Sequence, residues 1–301
     1  MPSGPLRCFT TAFRGSALAA LVTLLLPVGG RAQLVFDWPI RATPAPEAVL
    51  TGAAAVFWNP GGLTEQMGTR QEVWVAHVDG PDVSGIGGVA AAAVLDLPLG
   101  IRAGLGYWHL GVSDIPRTID SPLPAPGSLR VTEDAAVLTL SRGMAAPAGA
   151  GGSLRFLRGE AGGVSRTRLV GDVGVHIRSD LPLAPRFGLT VRNIGANPNL
   201  LAGTEVSLSP LARGRLPLWA GYGMEIRGRS RTVEQRFSLR GSWQGLLHAG
   251  AGLTRWGRGD DWTALLMVGA DFGRYSLSVL REGLANGFGA VHYFRAAVGL
   301  W

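Results

Sequence analysis

Residues Thr232–Trp243 read TVEQRFSLRGSW, and their alternation decides the fold. Val233, Phe237, Leu239 and Trp243 fall on one face of an extended chain, while Thr232, Glu234, Arg236, Ser238, Arg240 and Ser242 fall on the other. Side chains of a strand point alternately to its two faces, so this period of two predicts a strand with one apolar and one charged side. The pattern recurs on either side. In Leu216–Arg227, Leu218, Tyr222, Met224 and Ile226 oppose Glu225 and Arg227. In Arg168–Arg178, Leu169, Val173, Val175 and Ile177 oppose Arg168, Asp172, His176 and Arg178.

A soluble β-sandwich would alternate too, but three features favour a membrane barrel. The strands run to about ten residues or more, which fits a tilted crossing. Two near-identical short turns, DLPLG at Asp96–Gly100 and DLPLA at Asp180–Ala184, contrast with longer Pro- or Gly-rich connections at Val112–Ser128 and Ala196–Arg215. Short turns on one side and long loops on the other are the outer-membrane pattern. Aromatic residues also stand near strand ends, at Trp74, Tyr107, Trp108, Trp243, Trp256, Trp262, Tyr275 and Tyr293, where interfacial girdles are expected.

Strands are legible near residues 70–79, 84–96, 100–111, 129–142, 151–160, 165–179, 186–195, 216–228, 231–244, 246–257, 261–272, 274–283 and 291–301. Both termini of such barrels lie on one side, so the number is even. The missing strand is expected at Gly203–Ser209, GTEVSLS, giving fourteen; twelve is the alternative. The predicted fold class is all-β, a transmembrane antiparallel up-and-down β-barrel over residues 69–301.

The N-terminus predicts export. Arg7 and Arg14 precede the apolar run Ser16–Val28, which closes on Gly30-Arg31-Ala32. This is a secretory signal over residues 1–32, cleaved after Ala32. The competing reading, a membrane anchor, needs ~20 apolar residues. Cys8, the single cysteine, lies inside the signal, so the mature chain has no thiol or disulfide. All 28 basic residues are arginine; losing Arg7, Arg14 and Arg31 leaves 25, against 21 acids. With no basic run or stripe, no nucleic-acid partner is expected.

Residues 33–68 show no strand period. They contain AAAVFWNPGGL, Ala53–Leu63, in which an apolar run leads into the turn chemistry of Asn59-Pro60-Gly61. An apolar turn must pack against something, and a fourteen-strand lumen is wider than wall side chains alone fill. Residues 33–68 are therefore expected inside the barrel as a plug.

This run resembles the N-terminal Asn-Pro-Ala/Gly motif of the FadL-type superfamily of long-chain fatty acid transporters. It is at least as similar to that superfamily's shorter PorV/PorQ-type barrels. Leu189–Gly195, LTVRNIG, resembles a strand ending in Asn-Leu-Gly there, and the similarity extends to Leu216-Pro217 with the strand after them and to the final strand. The resemblance implies fourteen strands around an N-terminal hatch carried by Trp58, Asn59, Pro60 and Gly61, with Gly62 beside them. In FadL-type members the hatch moves and hydrophobic ligands pass through a lateral opening. PorV-type members work with the type IX secretion machinery. Gly61 departs from the commoner alanine, and the short chain leaves little room for extracellular ligand-capturing loops.

Arg168, Asp172, Arg178, Arg192, Glu225, Arg227, Glu234, Arg236 and Arg240 share the polar strand faces and are expected to form a charge-paired lumen wall; a polar conduction lining is the alternative. The terminal Phe294, Val298, Leu300 and Trp301 resemble the signal read by the barrel-assembly machinery, with Trp301 one step out of phase with the apolar face. No catalytic or metal chemistry is expected. His77, His109, His176, His248 and His292 are dispersed, no G-x-S-x-G elbow occurs, and the G-x-G-x-x-A match at Gly85–Ala90 lacks its helix. No cofactor is implied. The expected setting is the outer membrane of a diderm bacterium, with membrane lipid, the assembly machinery, a small hydrophobic ligand or secretion components as partners. The functional readings are passive transport of small hydrophobic molecules, a secretion or surface-attachment component, and a structural barrel.

Overall fold

The alternation closes on itself. The protein was analysed as a computed structural model describing residues 43–66, 71–81, 85–116, 128–144, 147–211, 216–228, 230–255, 257, 262–284 and 289–300. Among these are fourteen strands: β1 (Glu72–Asp79), β2 (Ile86–Leu97), β3 (Ile101–Pro116), β4 (Ser128–Gly143), β5 (Ala148–Ala161), β6 (Val164–Arg178), β7 (Arg186–Ile194), β8 (Asn199–Ser207), β9 (Leu218–Arg227), β10 (Thr232–Trp243), β11 (Leu247–Arg255), β12 (Trp262–Phe272), β13 (Tyr275–Gly283) and β14 (Ala290–Gly299). Each pairs antiparallel with its sequence neighbours, and β14 pairs back with β1, from Glu72 opposite Gly299 to Asp79 opposite His292. Closure removes the two unpaired edges that an open sheet would present.

The barrel is inside-out in polarity. Leu105, Leu138, Leu154, Phe156, Leu169, Leu266, Val268 and Leu277 stand half-exposed on the outer wall, whereas Arg102, Arg155, Asp172, Glu205 and Arg236 are buried on the inner one. A wall apolar outside and charged inside is stable where the surrounding solvent is hydrocarbon. The fold thus agrees with the fourteen-strand transmembrane barrel read from the sequence.

The interior is not empty. Residues 43–66 lie within the lumen as three 3₁₀ turns, Glu47–Val49, Gly52–Phe57 and Pro60–Gln66. Ala53, Ala55, Val56, Trp58 and Leu63 are almost wholly buried. The rest of the lumen, toward the rim opposite the chain ends, is filled from the wall by Trp108, Leu110, Val131, Leu157, Val170, Leu265, Leu280 and Tyr293.

Two expectations need correction. The long connection read at Ala196–Arg215 holds the fourteenth strand expected within it, β8, and the β8–β9 connection lies at the same end as both DLPL turns. Length asymmetry between the two ends is therefore weaker than expected. β8 was hard to read because its inward Gly203 lies against Pro46 and Ala48, where a charged side chain would not fit. Trp74, Trp108 and Tyr293 are not girdle residues; they point inward and are buried, while Tyr107, Trp243, Trp262 and Tyr275 are on the outer wall. A strand end says how deep a residue lies, but only parity says which side of the wall it faces. Residues 1–32, the start of the 33–68 segment, Trp256 and Trp301 lie outside the described residues. Phe294 and Val298 fall on the outward row of β14, and the Leu300 N–H donates to the Gln71 carbonyl, extending the β1–β14 seam.

Candidate functional site

The inner segment and the wall around it form the candidate site. Asn59 is fully buried and organises the turn in two directions. Its Nδ2 donates to the Ala48 carbonyl and, at 3.0 Å, to the Val175 carbonyl of β6. Its Oδ1 accepts from the Gly61 N–H at 3.0 Å. The side chain thus ties two turns of the segment together and pins both to the barrel. Thr64 Oγ1 donates to the Gly61 carbonyl at 2.9 Å, and Ser141 Oγ of β4 donates to the Pro60 carbonyl. The wall supplies further donors: Arg102 Nη1 reaches the Leu63 carbonyl at 2.8 Å, and Thr139 Oγ1 the Val56 carbonyl at 3.2 Å. A 3₁₀ segment leaves backbone carbonyls without partners of its own, and these inward side chains satisfy them.

Close approach explains the glycines. A Cβ on Gly61 would sit 2.8 Å from the Gly149 carbonyl oxygen and the His176 nitrogen, in the β5–β6 backbone. Glycine instead of alanine at Gly61 is therefore a packing requirement here. The wall reciprocates: a Cβ at Gly104 would stand 2.6 Å from Val56, at Gly151 2.9 Å from Pro60, at Gly221 2.7 Å from Pro46, and at Gly250 2.5 Å from Pro44. The inward rows are cut away where the segment lies, from β3 round to β11.

Phe57 makes aromatic contacts with the wall. It stands edge-on to Trp74, 5.6 Å between centroids, and to Trp108, 5.4 Å. Trp58 instead lies under the guanidinium of Arg192, 4.5 Å from its ring.

Most of the expected polar residues do face the lumen, but they form several groups. Asp172 pairs with Arg155 at 2.8 Å and accepts from the Asn193 N–H at 2.9 Å. Glu225 accepts from Asn199 at 3.0 Å and stands 3.4 Å from Arg227, which reaches Glu234 at 3.2 Å. Arg236 bonds Glu234 at 3.0 Å, Thr254 at 3.2 Å, and Glu47 of the segment. Arg240 holds both oxygens of Glu205 at 2.7 Å. Arg178 comes no closer than 3.7 Å to Glu65 and is half-exposed; Arg168, opposite Leu157, joins none of these pairs.

The sequence reading missed the residues that join segment to wall. Glu65 is buried and lies 2.7 Å from Arg186 and 3.3 Å from His176. Arg186 continues to Glu205 at 2.9 Å and so to Arg240. Glu47 and Glu65 are thus the two ionic fastenings of the segment. Glu205 and Arg186 share the inward parity of their strands and could have been found by it. Glu47 and Glu65 sit in a segment without period, where no such signal exists. A chamber of about 350 Å³ remains between the segment and β9–β14, lined by Leu50, Trp219, Arg240, His248, Met267 and Arg295. Among the described residues, no group of three or more His, Cys, Asp or Glu side chains could hold a metal ion.

No protein-family model and no curated protein matches the sequence. Solved structures do. The toluene transporter TbuX of Ralstonia pickettii superposes with a TM-score of 0.58 at 10% identity, over 85% of this chain and 95% of that one. The monoaromatic hydrocarbon channel CymD gives 0.59 at 10% identity, over 84% and 93%. Identity this low carries the architecture alone. The described residues form a closed fourteen-strand antiparallel β-barrel with the same fold as this toluene transporter and this hydrocarbon channel.

Proposed function

We propose that this protein is an outer-membrane channel for small hydrophobic molecules and that residues 43–66 are its hatch. The observation that carries the reading is the mode of attachment. The segment crosses the lumen and touches most of the wall, yet it joins no sheet. It is held by packing, by wall side chains that hydrogen-bond its backbone, and by the two carboxylates of Glu47 and Glu65. Such contacts can be exchanged as a set, which a strand built into the wall could not do. The likeness to hydrocarbon transporters and channels supports the same reading. The expected export signal at residues 1–32 is consistent with the location.

Deleting residues 33–68 should raise the permeability of vesicles carrying the barrel toward small hydrophobic solutes. A lock is the converse test. With Cys8 the sole native cysteine, a Val56→Cys/Gly104→Cys pair would be the only thiols of the mature chain. The pair is close enough to bridge, and oxidation should abolish uptake, with recovery in reductant. Uptake unchanged by both manipulations would sink the proposal. A second reading, a sealed structural barrel, is favoured by the apolar packing of Trp108, Leu110, Leu157 and Leu280 across the other half of the lumen. It requires that the deletion variant stay closed.

A further inference from the structure

The longest strands end in an open edge. β3, β4, β5 and β6 have 16, 16, 14 and 15 residues, while the other ten have 8 to 12. The surplus lies at the rim opposite the chain ends. On the outer wall the row Tyr107–Ala136–Phe156–Leu169 is aliphatic or aromatic, and the next row toward that rim, His109–Asp134–Arg158–Thr167, is polar. Hydrocarbon therefore stops between these rows, and the four strands continue beyond it as a ribbon.

β7 does not follow them. Its pairing with β6 runs from Arg186 opposite Arg178 to Ile194 opposite Gly171 and stops there. Val164–Val170 keep β5 on one side and, among the described residues, have no strand on the other. The hairpin fixes which backbone groups this leaves open. Gly162 and Gly163, at φ +57° and +82°, form a two-residue turn that closes with a hydrogen bond between Ala161 and Val164. Bonded and non-bonded pairs alternate along an antiparallel ladder. Val164, Arg166 and Arg168 therefore bond β5, and Ser165, Thr167 and Leu169 turn their N–H and C=O groups to the open side. The Arg178 N–H, which donates to the Pro147 carbonyl at the start of β5, keeps the same phase. Ser165, Thr167 and Leu169 are all exposed.

Donors and acceptors that alternate at strand spacing are matched by another extended chain. Charge says which kind. Arg166 and Arg168 stand on the inner face of this edge, and among the described residues Arg168 has no ion pair. A strand added antiparallel sets every second side chain beside them, where acidic residues attract and basic ones repel. Its other side chains meet Ser165, Thr167 and Leu169, a row that suits β-branched residues. A second copy of this chain fails on both counts. Its own edge brings arginine to arginine. A two-fold axis along the membrane normal also makes strands tilted ~35–45° cross at roughly 70–90°, far from the alignment a ladder needs.

We propose that Ser165–Leu169 is a docking edge for an extended acidic segment of a partner protein, which adds to β6 as a strand. The proposal is independent of what passes through the lumen. Fluorescence anisotropy of the full-length barrel in nanodiscs tests it, with a short labelled peptide of alternating glutamate and valine and the same peptide carrying lysine for glutamate. Wild type should bind the glutamate peptide and not the lysine one. Thr167→Pro removes an N–H from the open side alone and spares the ladder to β5. It should weaken binding about tenfold, the loss of one hydrogen bond, with heat-modifiable gel mobility reporting the folded barrel. Arg168→Glu should reverse the preference to the lysine peptide, so it decides the matter if Thr167→Pro fails to fold. Without peptide, the Ser165 and Thr167 amides should exchange hydrogen rapidly; slow exchange would show the edge already covered by this chain and overturn the proposal. Binding of neither peptide, equal binding of both, an unchanged preference in Arg168→Glu, or wild-type binding by a folded Thr167→Pro would each overturn it as well.

Discussion

Gly52–Phe57 and residues 58–65 are adjacent in sequence and both largely buried, yet the wall meets them differently. The first is gripped by apolar surface, with Phe57 between Trp74 and Trp108 and Val56 seated over Gly104. The second is fixed mainly by directional contacts, through Asn59 to Val175, Ser141 to Pro60, and Glu65 to Arg186. Apolar contact is nearly indifferent to small rotations and supplies most of the free energy. Hydrogen bonds and ion pairs in a low-dielectric interior contribute less net, but misplacing them costs the full desolvation of each partner. The apolar half therefore holds the segment in the barrel, and the polar half sets where it stops.

Substitutions can separate the two roles. Phe57→Ala should have the largest effect on stability, about 3–5 kcal/mol, the usual cost of emptying an aromatic site in a core. Denaturant unfolding in vesicles would measure it. The polar contacts should survive, so a distance label on Glu65 and Arg186 should not move; a shift there would merge the two roles. Asn59→Leu should cost less, about 2–3 kcal/mol, because the Ala48 and Val175 carbonyls and the Gly61 N–H lose their partner. Its signature should be positional, with faster hydrogen exchange across residues 58–66 and leakier vesicles. A stability loss without either change would show that Asn59 only packs. Arg178→Gln is the smallest case. Its nearest recorded approach to Glu65 is 3.7 Å and it is half-exposed, so the change should stay within about 0.5 kcal/mol and leave permeability unaltered.

Much of this was legible beforehand. The period of two marked thirteen strands, and parity demanded a fourteenth near GTEVSLS; β8 runs Asn199–Ser207, a few residues earlier. The same alternation put Asp172, Glu225, Arg236 and Arg240 on the lumen side. It failed where inner and outer faces carry similar residues. Trp74 and Trp108 are as apolar as the outward residues beside them, because the lumen holds an apolar core as well as ion pairs. Composition cannot distinguish a side chain facing lipid from one facing Phe57.

The sequence by itself determined the wall: lipid outside and charge inside require alternation, and alternation is a local property that each strand carries in full. The segment inside the lumen was legible only in outline, as an aperiodic apolar run ending in Asn59-Pro60-Gly61. Only the tertiary structure decided its seat, the partners of Glu47 and Glu65, and why position 61 is glycine. Those depend on which strands face each other across a closed lumen, such as β6 and β7 meeting Glu65 and β10 meeting Glu47. Contacts across more than a hundred residues of chain, like that of Asn59 with Val175, leave no period in the sequence, because closure, not local pattern, brings the two residues together.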